Sequence, residues 1–324
     1  MCNFRTLVFI LSVVFVSNTA ISQSSQSKKM KALIVDGQNN HDQWPKITYI
    51  LKTEMENTGL FTVEVARSEY TWKGDKYISE FPIAGVQETE AKEKPEHDPN
   101  YSPKFSKYDV VICNFGWNAA PWPEETQKKF EKYIKKGGGL VVFHAADNSF
   151  PKWEAYNEMI GLGGWGDRTE KDGPYVYYNN DGELIRDDSP GSAGAHGPQS
   201  EYQIQIREEH PITKGMPPMW LHTKDELYNS LRGPAENMKV LATAYSDPEN
   251  KGTDRHEPAL MSLEYGKGRI FHNIMGHVDY SVECVGFLTS MLRGAEWAAT
   301  GKVTQAIPED FPTADKTSSR KINK

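Results

Sequence analysis

Cysteine is scarce in this sequence, and no pair of cysteines has the close spacing of a Cys-x-x-Cys metal site. Cys2 falls in the N-terminal segment that we interpret below as a signal peptide. The other two, Cys113 in a strand-like apolar run and Cys284 in a helix-like one, are expected to be buried free thiols. A disulfide between them is the alternative that an exported location would allow.

The sequence also lacks an excess of basic charge, since its formal net charge is −7. Binding to nucleic-acid phosphates requires a basic surface, so we expect no nucleic-acid partner. Long apolar segments are scarce as well. The most apolar run, residues 7–16 with Ser12 within it, is shorter than the roughly 20 residues that cross a bilayer. We therefore expect no transmembrane segment.

The first 22 residues have the order of a signal peptide. One positive charge at Arg5 precedes the apolar run, and Ala20 and Ser22 are small residues spaced for signal peptidase. Residues 1–22 thus predict export, to the periplasm or the medium. A polar segment (23–30), one large domain (31–301) and a polar C-terminal tail (302–324) follow.

Within the domain, strand-like apolar runs alternate with amphipathic helical patterns. KALIVDG at 31–37 predicts a buried strand, and residues 47–55 place four apolar side chains on one helical face. A polar, acidic insertion (84–100) and a long loop rich in glycine and aromatics (161–197) interrupt the alternation, and a hairpin is predicted over 259–274. This order predicts an α/β fold with a central, mostly parallel sheet covered by helices on both faces.

The stretch GGGLVVFHAADNSFPKW, residues 137–153, predicts a strand, a tight turn and a helix. In α/β hydrolases and glutamine amidotransferases such a turn carries a nucleophilic Ser or Cys. Here the turn holds Ala145 and Ala146, so acyl-enzyme chemistry is disfavoured. The turn presents His144 and Asp147 instead, and the backbone N–H groups of the helix N-terminus would stabilise a developing oxyanion.

Polar residues cluster where the predicted strands end. Because ligands of parallel sheets bind beyond the carboxyl ends of the strands, we expect these residues to converge on one pocket. The set comprises Gln38, Asn39 and His41 after the first strand, Trp117 after the third, His144 and Asp147 at the turn, His277 after the hairpin, and the polar knot His222, Asp225, Glu226 and Tyr228.

Each candidate has a structural alternative. Asp225 and Glu226 could be solvated surface residues, and histidines near strand ends often serve as hydrogen-bonding struts. His272, flanked by apolar residues, is expected to be a packed core histidine. The coincidence of several strand-end histidines nevertheless favours a site. Zinc would suit such nitrogen ligands, with His41, His144, His222 and His277 as the candidates, although no local HExxH pair defines the metal.

Four separated strings resemble the ThuA-like family, named for trehalose utilisation: KALIVDGQNNHDQWP, the turn sequence above, HTKDELYN and GRIFHNIMGH. The resemblance covers nearly the whole domain. It implies a flavodoxin-like sandwich of the class I glutamine amidotransferase type that has lost the nucleophilic cysteine. It also implies a role in sugar catabolism through oxidised, 3-keto glycosides. Its matching polar positions are His41, His144, Asp147, His222, Asp225, Glu226 and His277.

We therefore expect an exported enzyme that acts on keto-sugars by acid/base enediolate chemistry, as an isomerase, epimerase, lyase or hydrolase. The alternative is a non-catalytic carbohydrate-binding or accessory module on the same scaffold. Oligomerisation is compatible with either. The expected catalytic residues are His144, Asp147 and Glu226, and the expected substrate-binding residues are Gln38, Asn39, His41, Trp117, Trp165, Asp225 and His277.

Overall fold

The computed structural model describes residues 1–2 and 28–322, so the predicted signal peptide lies almost entirely outside the described residues. One sheet organises the domain. In chain order the strands are β1 (Met30–Gln38), β2 (Phe61–Trp72), β3 (Glu90–Lys92), β4 (Val110–Cys113), β5 (Gly139–Phe143), β6 (Tyr175–Tyr178), β7 (Leu184–Asp187), β8 (Ala195–His196), β9 (Ser200–Ile206), β10 (Met219–Asp225), β11 (Tyr228–Asn229), β12 (Met238–Ser246), β13 (Arg255–Tyr265) and β14 (Gly268–Asn273). A separate two-stranded ribbon pairs β8 with β11, and all the other strands belong to the main sheet.

The helices are α1 (Trp44–Asn57), α2 (Asp75–Glu80), α3 (Glu124–Lys135), α4 (Glu154–Ile160), α5 (Asp279–Val282) and α6 (Val285–Thr300). Three of them, α1, α3 and α6, are longer than the others. In α3, acidic residues occupy the first turn and lysines the last, which complements the helix dipole. Phe130, Tyr133 and Ile134 of α3 are buried, as their helical spacing predicts.

The central part of the sheet is parallel, which confirms the α/β class expected from the sequence. Its order is β3-β2-β1-β4-β5-β14, and every neighbouring pair in it runs parallel. In the sheet, β2 lies beside β1 on one side, whereas β5 lies beside β4 on the opposite side. Right-handed crossovers then put α1 and α3 on opposite faces, and the strand order reverses between β1 and β4. A crevice at the carboxyl edge follows from this reversal.

An antiparallel wing extends the sheet beyond β14. β13, β12, β9 and β10 continue it in that order, beginning with the predicted β13–β14 hairpin. The long loop contains the predicted hairpin near Tyr175, now β6 paired with β7. The wing matters for function because β10 ends in Asp225, next to the parallel strands' carboxyl edge.

Three segments differ from the sequence-based expectation. The acidic insertion is not only a surface excursion, because β3 adds an edge strand to β2. The turn after β5 continues as a 3₁₀ helix, His144–Asn148, and α4 begins only at Glu154. The polar tail beyond 301 packs on the domain, where Leu221 and Val285 donate backbone hydrogen bonds to Thr313 and Ser318.

The core consists mainly of aliphatic side chains from the parallel strands and aromatic side chains from the helices and loops. Cys113 and Cys284 are both buried and both free, so the expected free thiols are confirmed. Among residues 1–2 and 28–322, no helix is both long enough and apolar enough to span a bilayer.

Glu257 of β13 provides a test of core electrostatics. It is buried, and burial raises its pKa from 4.5 to about 7, although Thr253 donates a hydrogen bond to it. The folded state therefore holds this proton more tightly than the unfolded state, and stability is lost as the pH rises through about 4.5 to 7.

We expect E257Q, which cannot ionise, to remove this loss. Between pH 5 and pH 8 the Glu257 carboxyl should lower the free energy of unfolding of the wild type by up to about 3 kcal/mol, at ~1.4 kcal/mol per pKa unit. The free energy of unfolding of E257Q should not show this decrease. Urea titrations at both pH values measure the difference. E264Q, at an exposed position of the same strand, is the matched control. An unchanged pH dependence in E257Q would contradict the prediction.

Candidate metal centre

Three histidines and one glutamate meet at the carboxyl edge of the sheet. His41 follows β1, His144 follows β5, His277 lies four residues beyond β14, and Glu226 comes directly after β10. One ligand atom from each lies within 4.8 Å of the other three. Residues far apart in the chain are thus brought together by the shared direction of the parallel strands and by the end of the wing.

His144 lies directly after β5, at the start of the tight turn. Its φ of 41° lies in the left-handed region, as expected for the strained turn of a nucleophile elbow. Its Nδ1 lies 3.0 Å from the carbonyl oxygen of Ile274 and donates to it, because a carbonyl only accepts. The proton is therefore on Nδ1, and the lone pair of Nε2 faces the cluster.

Glu226 reaches two of the histidines with its two carboxylate oxygens. Oε2 lies 3.9 Å from Nε2 of His144, and Oε1 lies 3.6 Å from Nε2 of His277. The imidazole ring of His41 stands edge-on to that of His277, with centroids 4.4 Å apart. Glu226 is 14% exposed, so the cluster remains open to a ligand on the carboxylate side.

Burial keeps the imidazoles neutral. It lowers the pKa of His144 to about 3, against the opposing pull of Asp225. Burial and the neighbouring His144 and His277 hold the pKa of His41 far below its usual range, and burial also lowers the pKa of His277. Neutral imidazole is the form that binds a metal ion. At Glu226 burial raises the pKa, which moves the carboxyl toward the range of a general base.

These side chains fit a divalent transition metal. Zinc sites use about 2.0–2.2 Å bonds to nitrogen and oxygen, so two ligands of one ion lie at most about 4.4 Å apart. The ligand atoms of the three histidines lie within 4.8 Å of one another, so a small contraction brings them within that limit. Three imidazoles with a free position beside a carboxylate is also the donor set of catalytic zinc sites.

Comparison with known proteins assigns the family. The sequence model of ThuA, trehalose utilisation, matches residues 31–298. The chain belongs to the ThuA family. A ThuA-like protein from Parabacteroides merdae is 40% identical, with a TM-score of 0.78 over 90% of this chain and 98% of the other. The resemblance noted in the sequence is thereby confirmed.

Two further solved structures are more distant. A ThuA-like protein from Bacteroides uniformis is 19% identical, with a TM-score of 0.51 over 85% of this chain and 93% of the other, which shows the shared fold. A glutamine amidotransferase from Thermotoga maritima matches at 9% identity and a TM-score of 0.38, covering 78% of each chain. No curated protein matches this chain.

In this ThuA-family chain, two of the residues expected at the site lie behind it. Asp147 is fully buried, with Oδ2 3.2 Å from Nε2 of His272, the predicted core histidine. Burial raises the pKa of Asp147, whereas the hydrogen bond and the charge of His272 act to lower it. His222 is fully buried too, and its Nε2 lies 2.9 Å from Asp225. Neither side chain belongs to the four-residue cluster, so we retain neither as a metal ligand or catalytic group.

Asp225, expected to bind substrate, is fully buried and bonded to protein groups. Burial alone would raise its pKa, but the hydrogen bond and charge of His222 hold the pKa below its usual range. In return, Cys284 and Asp225 outweigh burial and raise the pKa of His222 to about 9. The two side chains form an ion pair that supports the site from behind.

The expected substrate-binding residues after β1 also act as supports. Gln38 bonds backbone groups of Tyr70, Glu96 and Ala120, while Asn39 accepts the backbone N–H of His41. Both amides thereby shape the loop that carries His41. Trp117 differs from them, because its side chain is 41% exposed at the edge of the site. Trp165 packs edge-on against Tyr228, with ring centroids 4.9 Å apart.

Two site residues have no assigned role among the sequence-based candidates. The Tyr228 hydroxyl lies 2.9 Å from Nε2 of His144 and accepts a hydrogen bond from Asn148. His196, in the long loop, lies with its Nδ1 3.8 Å from Oε1 of Glu226. Tyr228 is part of the polar knot LHTKDELY, which could have indicated it. No sequence signal marks His196, because only the β8–β11 ribbon brings it to the site.

We expect the chain to bind one equivalent of Zn²⁺ or Co²⁺, and H277A to weaken that binding by at least about 100-fold. Loss of a ligand should exceed the roughly 10–100-fold that changes around ligands cause. Equilibrium dialysis followed by metal analysis measures both. H97A, at an exposed histidine of the insertion, is the control and should bind like the wild type. Equal metal content in H277A and H97A would refute the assignment.

Proposed function

We propose that this chain is an exported, metal-dependent enzyme of carbohydrate catabolism that acts on oxidised, 3-keto glycosides. The observation that carries the proposal is the cluster of three neutral imidazoles and one carboxylate at a strand-end elbow without a nucleophile. The family's description, trehalose utilisation, supports a carbohydrate substrate. The order of residues 1–22 supports export.

The chemistry suited to this site is proton abstraction next to a ketone. A ketone at C3 of a sugar acidifies the C2 proton, and a base that removes it leaves an enolate. The C–H electron pair becomes the C2–C3 double bond, and the carbonyl electron pair moves onto the C3 oxygen. Return of the proton to the other face epimerises C2, whereas expulsion of the C1 substituent forms a C1–C2 double bond and regenerates the ketone.

Glu226 is the base in this proposal. Its carboxylate is partly open to solvent, lies beside the imidazoles, and has a pKa raised by burial. His41, His144 and His277 would hold a divalent metal, and the chemistry it would supply is polarisation of the ketone oxygen. In this division of roles, Glu226 lies 3.9 Å from His144 and 3.6 Å from His277 but is not required as a fourth ligand.

Tyr228 is the hydrogen-bond donor nearest the reacting oxygen. Asn148 donates to its hydroxyl, so the hydroxyl proton is free to point toward the cluster. In the described structure that proton faces Nε2 of His144. If Nε2 held a metal, the Tyr228 hydroxyl would need another acceptor and would donate to the developing enolate oxygen.

A cavity of about 580 Å³ next to the centre suits the rest of the glycoside. Trp117, Phe150 and Trp153 line it together with polar side chains such as Gln127 and Lys152. Asn148 also lines it, and Asn148 is connected to His144 through two successive hydrogen bonds of 3.3 and 2.9 Å. Flat apolar faces beside hydrogen-bonding groups are the surface that a sugar ring requires.

We expect E226Q to lose roughly 10²- to 10⁴-fold in the exchange of the C2 proton of a 3-keto glycoside in D₂O, since that is the usual contribution of a positioned base. Its Zn²⁺ affinity should stay close to that of the wild type, because the imidazoles hold the metal. Proton NMR of the C2 signal measures the exchange, and E201Q, at an exposed glutamate, is the control.

Two results would count against this proposal. Exchange in E226Q at the wild-type rate would remove Glu226 as the base. If no keto-sugar undergoes exchange or turnover with the metal-loaded wild type while unoxidised glycosides still bind, the carbohydrate-binding module becomes the better description.

We expect W117A to raise the KM for a keto-glycoside about 3- to 10-fold with little change in kcat. An aromatic contact of about 0.5–1.5 kcal/mol made equally in the ground and transition states has that effect. Steady-state kinetics provides the measurement. L184A, which truncates an exposed apolar side chain on β7, should leave both parameters unchanged. A fall in kcat at unchanged KM would place Trp117 in the chemistry instead.

A further inference from the structure

Asp225 accepts hydrogen bonds on both carboxylate oxygens from four donors. Oδ1 accepts the backbone N–H groups of Glu226 at 2.9 Å and His277 at 3.1 Å. Oδ2 accepts the backbone N–H of Gly276 at 2.8 Å and Nε2–H of His222 at 2.9 Å. The residue is fully buried. A carboxylate in this state has no capacity left to bind substrate or a metal ion.

The donors belong to two chain segments that the sheet does not bring together. Glu226 follows β10, at one edge of the sheet, whereas Gly276 and His277 follow β14. Three strands, β9, β12 and β13, separate β10 from β14 in the sheet order. The hydrogen bonds between neighbouring strands therefore do not define the distance between these two segments. The Asp225 carboxylate bonds both of them directly.

The same hydrogen bonds hold the backbone of the two functional residues. Glu226 and His277 each donate their own backbone N–H to Oδ1, so one atom holds the start of both side chains. His222 in turn holds the carboxylate from the side away from the site. The Glu226 to His277 separation of 3.6 Å is set through this shared atom.

We propose that Asp225 is a positioning residue that holds His277 and Glu226 in the correct relative position and so preorganises the metal centre. The inference rests on the proposed function, because it takes His277 as a ligand and Glu226 as the base. It differs from a merely structural role in that the coordination of the metal, and not only the stability of the fold, depends on this carboxylate.

D225N is the direct test. An asparagine keeps one oxygen but turns an N–H₂ group toward the other pair of donors, so at least one segment loses its acceptor. We expect the Kd for Zn²⁺ to rise about 10- to 100-fold, the effect of outer groups that orient ligands. The visible spectrum of the Co²⁺-loaded protein should change in position or intensity, because the ligands move.

D98N is the matched control. Asp98 is another buried carboxylate, and it accepts hydrogen bonds from Ser68 and from the backbone N–H groups of Glu69 and Asn100. None of these donors belongs to the cluster. We therefore expect D98N to lower the urea midpoint as D225N does but to keep the wild-type Kd and Co²⁺ spectrum.

A second pair of variants covers the case in which D225N does not fold. H222A removes the group that holds the carboxylate, and H222Q keeps a donor for Oδ2. We expect H222A to weaken Zn²⁺ binding and H222Q to restore it at least in part. Wild-type Kd and Co²⁺ spectrum in D225N or H222A would overturn this inference alone. A wild-type chain that binds neither Zn²⁺ nor Co²⁺ would overturn the metal centre and this inference together.

Discussion

The parallel alignment of β1, β4, β5 and β14 is the constraint on which the rest of this structure depends. Because these strands point the same way, the residues that follow them emerge at one edge, and the reversal of strand order between β1 and β4 opens a crevice there. His41, His144 and His277 are neighbours for this reason. The antiparallel wing then adds Glu226 from a strand that is not part of the parallel set.

Burial is the second physical effect that shapes the site. It lowers the pKa of the cluster histidines and raises the pKa of Glu226. It removes charge from the imidazoles, which favours metal binding, and it raises the pKa of the glutamate, which favours proton transfer near neutral pH. The left-handed backbone at His144 belongs to the same arrangement. The strained backbone conformation is thus found at a residue whose imidazole could serve as a metal ligand.

The parts of the fold and site that could be predicted share a physical basis in local sequence. Alternating apolar runs defined the strands, the glycine-rich turn defined the β13–β14 hairpin, and paired alanines at the elbow argued against an acyl-enzyme. His41, His144 and His277 could be nominated because each follows an apolar strand, and strand ends converge in any parallel sheet. Asp147 at the turn and His222 in the polar knot were nominated as well, but both turn toward the core, where His272 and Asp225 engage them. Sequence position specifies the edge of the sheet and not the direction of a side chain.

The sequence by itself determined the α/β class, the family and the strand-end histidines, because hydrophobic periodicity and short motifs are local properties of the chain. Only the tertiary structure decided that Glu226 joins the histidines, that His196 and Tyr228 line the same site, and that Asp225 supports it rather than facing a substrate. These outcomes depend on how the antiparallel wing and the β8–β11 ribbon pack against the parallel strands. That packing arises from long-range burial and from the need to pair every buried polar group, and neither requirement can be evaluated within a single segment of sequence.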